Sequence, residues 1–298
     1  MPLTSSADVG QDVVVRFAPS PNGLLHLGHA YAAMIAHDYA RARDGRFLLR
    51  IEDIDAGRSR PEFVEAILAD LTWLGLDWDG EVSFQSARLD SYVQAAARLK
   101  AMNLLYPCFC TRASMRELQK EQWQKEGPDG PIYAGTCRHL PPDEIRARME
   151  TQAHSWRLDV KRALAITGPL TWTDERRGEQ VADPEALGDV ILIPKETPVA
   201  YHLAVTVDDA RDDISHVVRG QDLFASTHIH SLLQALLNLP APIYLHHPIL
   251  IDESGGKLAK SRDSASLSVL RHAAVDGHKI IQELRSGIFP VGIVLTEA

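Results

Sequence analysis

The chain has 298 residues, 45% hydrophobic and 24% charged, an ordinary globular composition with room for a large core; a disordered or fibrous chain is excluded. Its 31 Lys and Arg against 40 Asp and Glu leave a formal charge of −9, which alone weighs against a nucleic-acid partner, because phosphate binding wants a basic footprint. No run approaches the ~20 apolar residues of a membrane span, residues 1–11 lack a signal-peptide pattern, and three cysteines, an odd number, point to a reducing cytoplasm.

Residues 13–17 form a β-branched run suited to a buried strand, followed by the Pro/Gly-rich turn Ala18-Pro-Ser-Pro-Asn-Gly23. An Ala-rich helix is expected over 27–43, stopped by Asp44-Gly45, with a second strand over 47–51, giving a βαβ unit. Pro61 starts another helix whose apolar positions Phe63, Ile67, Leu71 and Leu74 share a face, and a third helix is expected over 87–105. From Cys108 to about Lys195 turn formers and charges crowd in, with a helical segment near 113–126. Beyond it, 200–207 and 216–218 read as strands, 222–239 as an apolar helix ended by Pro240, and 244–251 as another strand. These elements predict an α/β fold with a doubly wound parallel sheet.

The expected organisation is a first half of the α/β domain at 1–107, an insertion at 108–195, a second half at 196–262 and a short extension at 263–298. Splitting the charge along those lines is informative. The insertion carries 13 basic and 14 acidic groups, whereas 1–107 carries 10 and 14 and 196–262 carries 5 and 8. Most of the acidic excess lies outside the insertion, so net charge describes the surface as a whole and leaves a nucleic-acid partner open.

Two constellations carry chemistry. His26 and His29 stand three apart at the opening of a helix, with Gly28 between them. A helix start offers unpaired N–H groups and a positive dipole end, and two imidazoles there can donate to phosphate oxygens as charge builds. Gly28 leaves room for a base or ribose to approach. Near the end, Gly255-Gly-Lys-Leu-Ala-Lys-Ser261 places Lys257 and Lys260 in a glycine-rich loop able to neutralise a polyphosphate.

Together these motifs resemble the class I aminoacyl-tRNA synthetases. His26-Leu-Gly-His29 is similar to that family's first signature and Lys257-Leu-Ala-Lys-Ser261 to its lysine signature, with Leu258 and Ala259 in place of the usual Met and Ser. Arg16-Phe-Ala-Pro-Ser-Pro-Asn-Gly23, Leu49-Arg-Ile-Glu-Asp-Ile-Asp55 and Ile214-Ser-His-Val-Val-Arg-Gly-Gln-Asp-Leu223 resemble the glutamate-specific branch, and the likeness runs over about 13–261. About 36 residues follow Arg262, and the expectation from the resemblance is a catalytic half without the family's helical anticodon-binding region. That resembles the members that activate glutamate without tRNA and esterify the queuosine base at the wobble position of tRNA(Asp). The alternatives are a truncated synthetase charging a tRNA 3′ end and a non-catalytic RNA-binding paralogue. A small-molecule nucleotidyltransferase would leave the glutamate motifs unexplained.

The resemblance implies a Rossmann-type catalytic domain with ATP and L-glutamate as substrates, Mg²⁺ beside the ATP, and a cytoplasmic monomer. Arg16 and Arg219 suit the two carboxylates of glutamate, since a guanidinium bonds bidentately, and Glu52 suits the ammonium. Phe17, Ala18, Pro19, Ser20 and Tyr201 fall in the same pocket by resemblance. ATP would be held by His26, Gly28, His29, Lys257 and Lys260, with His26, His29 and Lys260 stabilising phosphate charge. Asp53 and Asp55 read as caps or structural partners.

Cys108, Cys110 and Cys137 supply three thiolates where a structural Zn²⁺ wants four ligands. The resemblance implies Tyr133 as the fourth, four residues before Cys137, while His139 is the chemically more usual choice and three buried free thiols are the alternative to a metal. Such a site would brace the insertion that meets tRNA.

Overall fold

The computed structural model describes residues 12–111, 113–115, 126–128, 130–256, 258 and 266–297. β1 (Val14–Phe17), α1 (Leu27–Arg41) and β2 (Arg46–Ile51) make the expected βαβ unit, with the strands parallel and Val14 opposite Arg46. α1 stops before Arg43: Asp44 turns left-handed at φ 52°, and Gly45 backs onto β1 so closely that a Cβ would lie 2.5 Å from the Val13 carbonyl. α2 (Pro61–Leu74) starts on its proline, ends on left-handed Gly75 and buries Ile67, Leu71 and Leu74, with Phe63 half-buried. β3 (Ser83–Phe84) then pairs parallel to β2.

Several elements differ from the sequence expectation. The third helix, α3 (Leu89–Ala101), is shorter than 87–105, because Asn103 turns left-handed at φ 57° and Leu105 already opens β4 (Leu105–Cys108). Of the expected helical segment 113–126, residues 113–115 are helical, 116–125 lie outside the described residues, and Glu126 belongs to β5 (Glu126–Gly127), paired with β6 (Gly130–Pro131). The expected strand 200–207 is helix α6 (Tyr201–Arg211). Its Val and Thr residues mimic a strand, but Ala204 and Asp208, and Val205 and Asp209, are buried four apart, so tertiary packing of a helical face overrides β propensity. The expected strand 244–251 is two: β12 (Ile243–His247) and β13 (Leu250–Asp252), divided at Pro248, which has no N–H for a ladder.

β4, which starts ahead of the expected insertion, pairs antiparallel with β7 (Ser155–Leu158), and β7 with β10 (Ile191–Ile193); α4 (Pro142–Thr151) and α5 (Val160–Thr167) lie on either side of β7 in the chain. The hairpin of β8 (Thr171–Asp174) and β9 (Gly178–Val181), although embedded in that segment, joins the catalytic sheet beside β12. β11 (His216–Gly220) pairs parallel with β12, and α7 (Ser226–Leu237) connects them. Near the end, α8 (Leu267–His272) and α9 (Gly277–Arg285) pack beside α2, and β14 (Ile293–Leu295) pairs with β13.

The two halves of the sheet meet at β1 and β11. Ser215 N–H donates to the Val14 carbonyl (3.0 Å) and Val14 N–H donates to Ser215 Oγ (2.8 Å). Strand order reverses at this seam, with β2 and β3 on one side and β12 on the other, the place where open α/β sheets bind ligands beyond the strand ends. Side-chain alternation then sorts the faces. Val15, Phe17, Phe47, Leu49, Ile51 and Val218 pack toward α1 and α2, while Val14, Val217 and Tyr244 pack around Trp172 on the other side. Arg16, Arg50 and Arg219 share the parity of the second set, so three arginines stand on one face, opposite α1.

Candidate active site

The turn after β1 delivers the two histidines to the start of α1. His26 is the N-cap: its Nδ1 accepts from Gly28 N–H (3.1 Å), and His29 Nδ1 accepts from His26 N–H (3.1 Å). This is a capping box built from two imidazoles, with ring centroids 3.8 Å apart. Because both Nδ1 atoms accept, both rings carry their proton on Nε2, which makes each a donor toward an anion at the helix start. Gly28 answers first to this cap: an added Cβ would stand 3.0 Å from the His26 ring and 4.0 Å from Leu258 Cβ. Lys257 and Lys260, with Ala259 and Ser261, lie outside the described residues, whereas Leu258 packs against the core beneath α1.

Arg16, Glu52, Tyr201 and Arg219 come together at the strand ends and the first turn of α6; the charges of Arg219, Glu52 and Arg16 all act on the hydroxyl of the half-buried Tyr201. Pro19 is tied to the site by its carbonyl, which accepts from Glu52 N–H at 3.1 Å; Phe17 and Pro19 are buried, Ala18 half-buried and Ser20 exposed. Arg16 donates through Nε and Nη2 to both oxygens of Asp209 (2.9 and 3.2 Å), leaving Nη1 without a hydrogen bond among the described residues. Burial pushes Glu52 up to about 7, against the lowering pull of Arg50 and Arg16.

Arg219 is 6% exposed, and among the described residues its hydrogen bonds go only to uncharged groups. Nε donates to His246 Nε2 (3.1 Å), Nη2 to Thr227 Oγ1 (2.7 Å) and the Leu223 carbonyl (3.1 Å), and Nη1 to Tyr201 Oη (3.3 Å), with His230 Nδ1 also at 3.3 Å. Burial, reinforced by the Arg219 charge, lowers His246 to about 4 and holds His230 well below the usual imidazole range, so both rings are neutral at pH 7. A buried guanidinium with neutral neighbours retains its charge for a ligand.

Sequence reasoning did not find Arg50, Asp208, Asp209, Asp212, Asp174, His230 or His246. The triplet Asp208, Asp209 and Asp212, just after the segment 200–207 read as a strand, was the available signal, since carboxylates on the buried face of a helix require cations. Arg50 supplies one, donating to Asp209 (2.8 Å) and Asp212 (3.3 Å), and Arg88 another, donating to Asp208 (3.0 Å) and Asp212 (2.7 Å). Asp53 accepts from Ser86 N–H (2.8 Å) and Oγ–H (2.6 Å), pinning a segment 33 residues on, and Asp55 accepts from Gly57 N–H (3.1 Å) and Arg58 Nε–H (2.5 Å), closing a local turn.

The ligand atoms of Cys108, Cys110 and Cys137 lie within 4.8 Å of one another. Cys110 Sγ is 3.6 Å from Cys137 Sγ, and Tyr133 Oη is 3.5 Å from Cys108 Sγ and 3.6 Å from Cys110 Sγ. Sulfurs about 3.8 Å apart are what a tetrahedral Zn²⁺ with Zn–S near 2.3 Å imposes, so three thiols and the phenol fit such an ion. His139 is exposed and outside the cluster. Tyr133 is held from two sides: its oxygen accepts from Cys137 N–H (2.9 Å), and the Arg157 guanidinium lies 3.8 Å over its ring. Hydrogen bonds from Cys110, then Cys137, drive the Cys108 thiol pKa down.

Residues 12–287 match the family model of tRNA synthetases class I (E and Q), catalytic domain. The chain is 43% identical over 274 residues to the glutamyl-Q tRNA(Asp) synthetase of Rhodobacter capsulatus, covering 87% of this chain and 95% of that one. It is 40% identical to the protein of the same name from Symbiobacterium thermophilum, covering 90% of this chain and 84% of the other. Among solved structures, a glutamate tRNA ligase from Elizabethkingia meningosepticum in complex with its amino acid superposes with a TM-score of 0.74 at 26% identity, over 92% of this chain and 60% of that one. Among the described residues, no helix is long and apolar enough to cross a membrane.

Proposed function

The chain belongs to the class I tRNA synthetases of the glutamate and glutamine branch, a family of ligases, and from that premise we infer that it activates L-glutamate with ATP and transfers it to queuosine at the wobble position of tRNA(Asp). The observation that carries the glutamate reading is Arg219, a buried cation ringed by neutral partners, with Tyr201, Glu52 and Arg16 beside it. The tRNA half of the reading is supported by the names of the relatives, which this chain covers over 95% and 84% of their own lengths.

Arg219 and the remaining donors of Arg16 receive the substrate carboxylates, and ionised Glu52 receives the ammonium. Phe17, Ala18, Pro19 and Ser20 form the adjoining turn. The α-carboxylate oxygen of glutamate attacks the α-phosphorus of ATP, which enters with Mg²⁺, and the bond to pyrophosphate breaks. His26 and His29 donate from Nε2 to the phosphate oxygens, Gly28 keeps the cap compact, and Lys257 and Lys260 add positive charge. A queuosine hydroxyl then attacks the acyl carbon of the mixed anhydride, and AMP leaves as the hydroxyl proton is lost. Cys108, Cys110, Cys137 and Tyr133 hold Zn²⁺, which crosslinks the insertion 108–195 that meets tRNA.

The test supplies the protein with ATP, labelled glutamate and tRNA(Asp) with or without queuosine. Label is expected on the queuosine-bearing tRNA(Asp) alone. Equal labelling of both tRNAs, or labelling of tRNA(Glu) only, overturns the reading.

A further inference from the structure

His246 touches Arg219 on one side and a second buried charge on the other. Its Nδ1 lies 2.7 Å from Asp174 Oδ2, and Asp174 is fully buried at the end of β8. Every contact of that carboxylate is a donor: Oδ2 also accepts His246 N–H (3.2 Å), and Oδ1 accepts the backbone N–H groups of Arg176 (2.9 Å) and Arg177 (3.1 Å). An ionised carboxylate can only accept, so the His246 ring must present a proton at Nδ1 and therefore a lone pair at Nε2. That lone pair lies 3.1 Å from Arg219 Nε. The ring itself is held by packing, parallel to Tyr244 (4° between planes) and against the edge of Phe224 at 5.1 Å. Its neutral state, with the pKa lowered to about 4, agrees with this assignment.

The geometry points to Asp174 and His246 as positioning residues for Arg219: the carboxylate selects the imidazole tautomer, and the tautomer seats the guanidinium. With Nε on His246 and Nη2 on Thr227 and the Leu223 carbonyl, the Nη1 edge is left to Tyr201 Oη and His230 Nδ1, both at 3.3 Å, the longest of its hydrogen bonds and the edge where substrate carboxylate is to be received. The opposite tautomer would set an N–H against the Arg219 Nε–H and push the guanidinium out of that pose. A carboxylate that fixes a working imidazole is a familiar catalytic device; here the fixed imidazole serves a binding arginine instead of a proton transfer. The hairpin of β8 and β9 lies within the insertion in sequence, so this contact lets the insertion set the amino-acid pocket. The inference rests on the reading of Arg219 as a glutamate ligand.

Two substitutions at one position separate the contacts. His246→Asn keeps a donor near Nδ1 for Asp174 but removes the acceptor for Arg219, whereas His246→Gln keeps an oxygen near Nε2 and loses the donor to Asp174. Measured by ATP–pyrophosphate exchange, His246→Asn is expected to raise the glutamate KM about tenfold to a hundredfold, the range of a lost hydrogen bond to a charge, with the ATP KM unchanged. His246→Gln is expected to recover most of that loss. Equal effects of both variants, or equal effects on the glutamate and ATP KM values, overturn the proposal. A long-range proton–nitrogen spectrum of the ¹⁵N-imidazole-labelled wild type gives a readout independent of variant folding: His246 is expected as the Nδ1–H tautomer, and an Nε2–H signature overturns the assignment. Arg219→Ala distinguishes the two levels. If it raises the glutamate KM while His246→Asn does not, the positioning role alone fails; if it leaves the glutamate KM unaltered, the glutamate reading itself fails.

Discussion

Arg50 and Arg219 are the same residue type on the same face of one sheet, 1% and 6% exposed, yet their surroundings are opposite. Arg50 is bonded to Asp209 and Asp212, with Asp208 and Glu52 within 4 Å; burial alone would lower its pKa, but Asp209 and then Asp208 hold it above its ordinary value. Arg219 meets two neutral imidazoles, a phenol, a threonine hydroxyl and a carbonyl. A buried charge neutralised within the fold is scaffold, whereas one solvated by neutral groups is poised for a charged ligand. Arg16 stands between the extremes, spending two donors on Asp209 and keeping the Nη1 edge.

The contrast breaks first at Arg50. Arg50→Met strands carboxylates of α6 in a buried site and is expected to cost about 3–5 kcal/mol of stability, a fall of roughly 10 °C in Tm by thermal unfolding. A fall of only a degree or two would make the scaffold assignment untenable. The next test sharpens the role of Glu52, whose pKa is raised from 4.5 to about 7 by burial. In its proposed role Glu52 must be ionised to neutralise the substrate ammonium, so as pH rises toward 7 the glutamate KM is expected to fall about tenfold per pH unit and to level off above pH 7. Glu52→Gln should give a higher KM with no such slope. The stability sign is the reverse: in the empty site this raised pKa contributes stability that is full below 4.5 and lost as pH rises through about 7, and bound glutamate restores it. The smallest effect belongs to a carboxylate whose hydrogen bonds both go to one exposed serine. Asp53→Ala removes the contacts to Ser86 and is expected to cost about 1 kcal/mol in chemical denaturation, with the glutamate KM unmoved; a KM change would place Asp53 in the site.

What was legible in the sequence was local. The turn before α1, the two histidines three apart and the Cys-x-Cys pair are close in the chain, and their geometry follows from strand, turn and helix period. Arg16, Glu52 and Arg219 were legible because each sits at a strand end, where such sheets bind ligands. The Asp174–His246 contact was not: the residues are 72 apart, and Asp174 falls in a hairpin whose surroundings read as insertion. α6 was misread because its β-branched residues outweigh its helical period when the buried arginines facing it are unknown. Nor could spacing choose between Tyr133 and His139; the fold places the phenol among the sulfurs and leaves the imidazole exposed.

The imidazole cap has a dynamic corollary. The atoms that cap the start of α1 are the atoms that orient the two imidazoles proposed as phosphate donors, so the proposed nucleotide seat is the helix's own first turn. Breathing of that turn and loss of the seat are a single event. The backbone amide hydrogens of His26 and Gly28, each shielded by a ring, are therefore its clock, and their exchange with solvent times how often the site dissolves while the rest of the sheet stays whole.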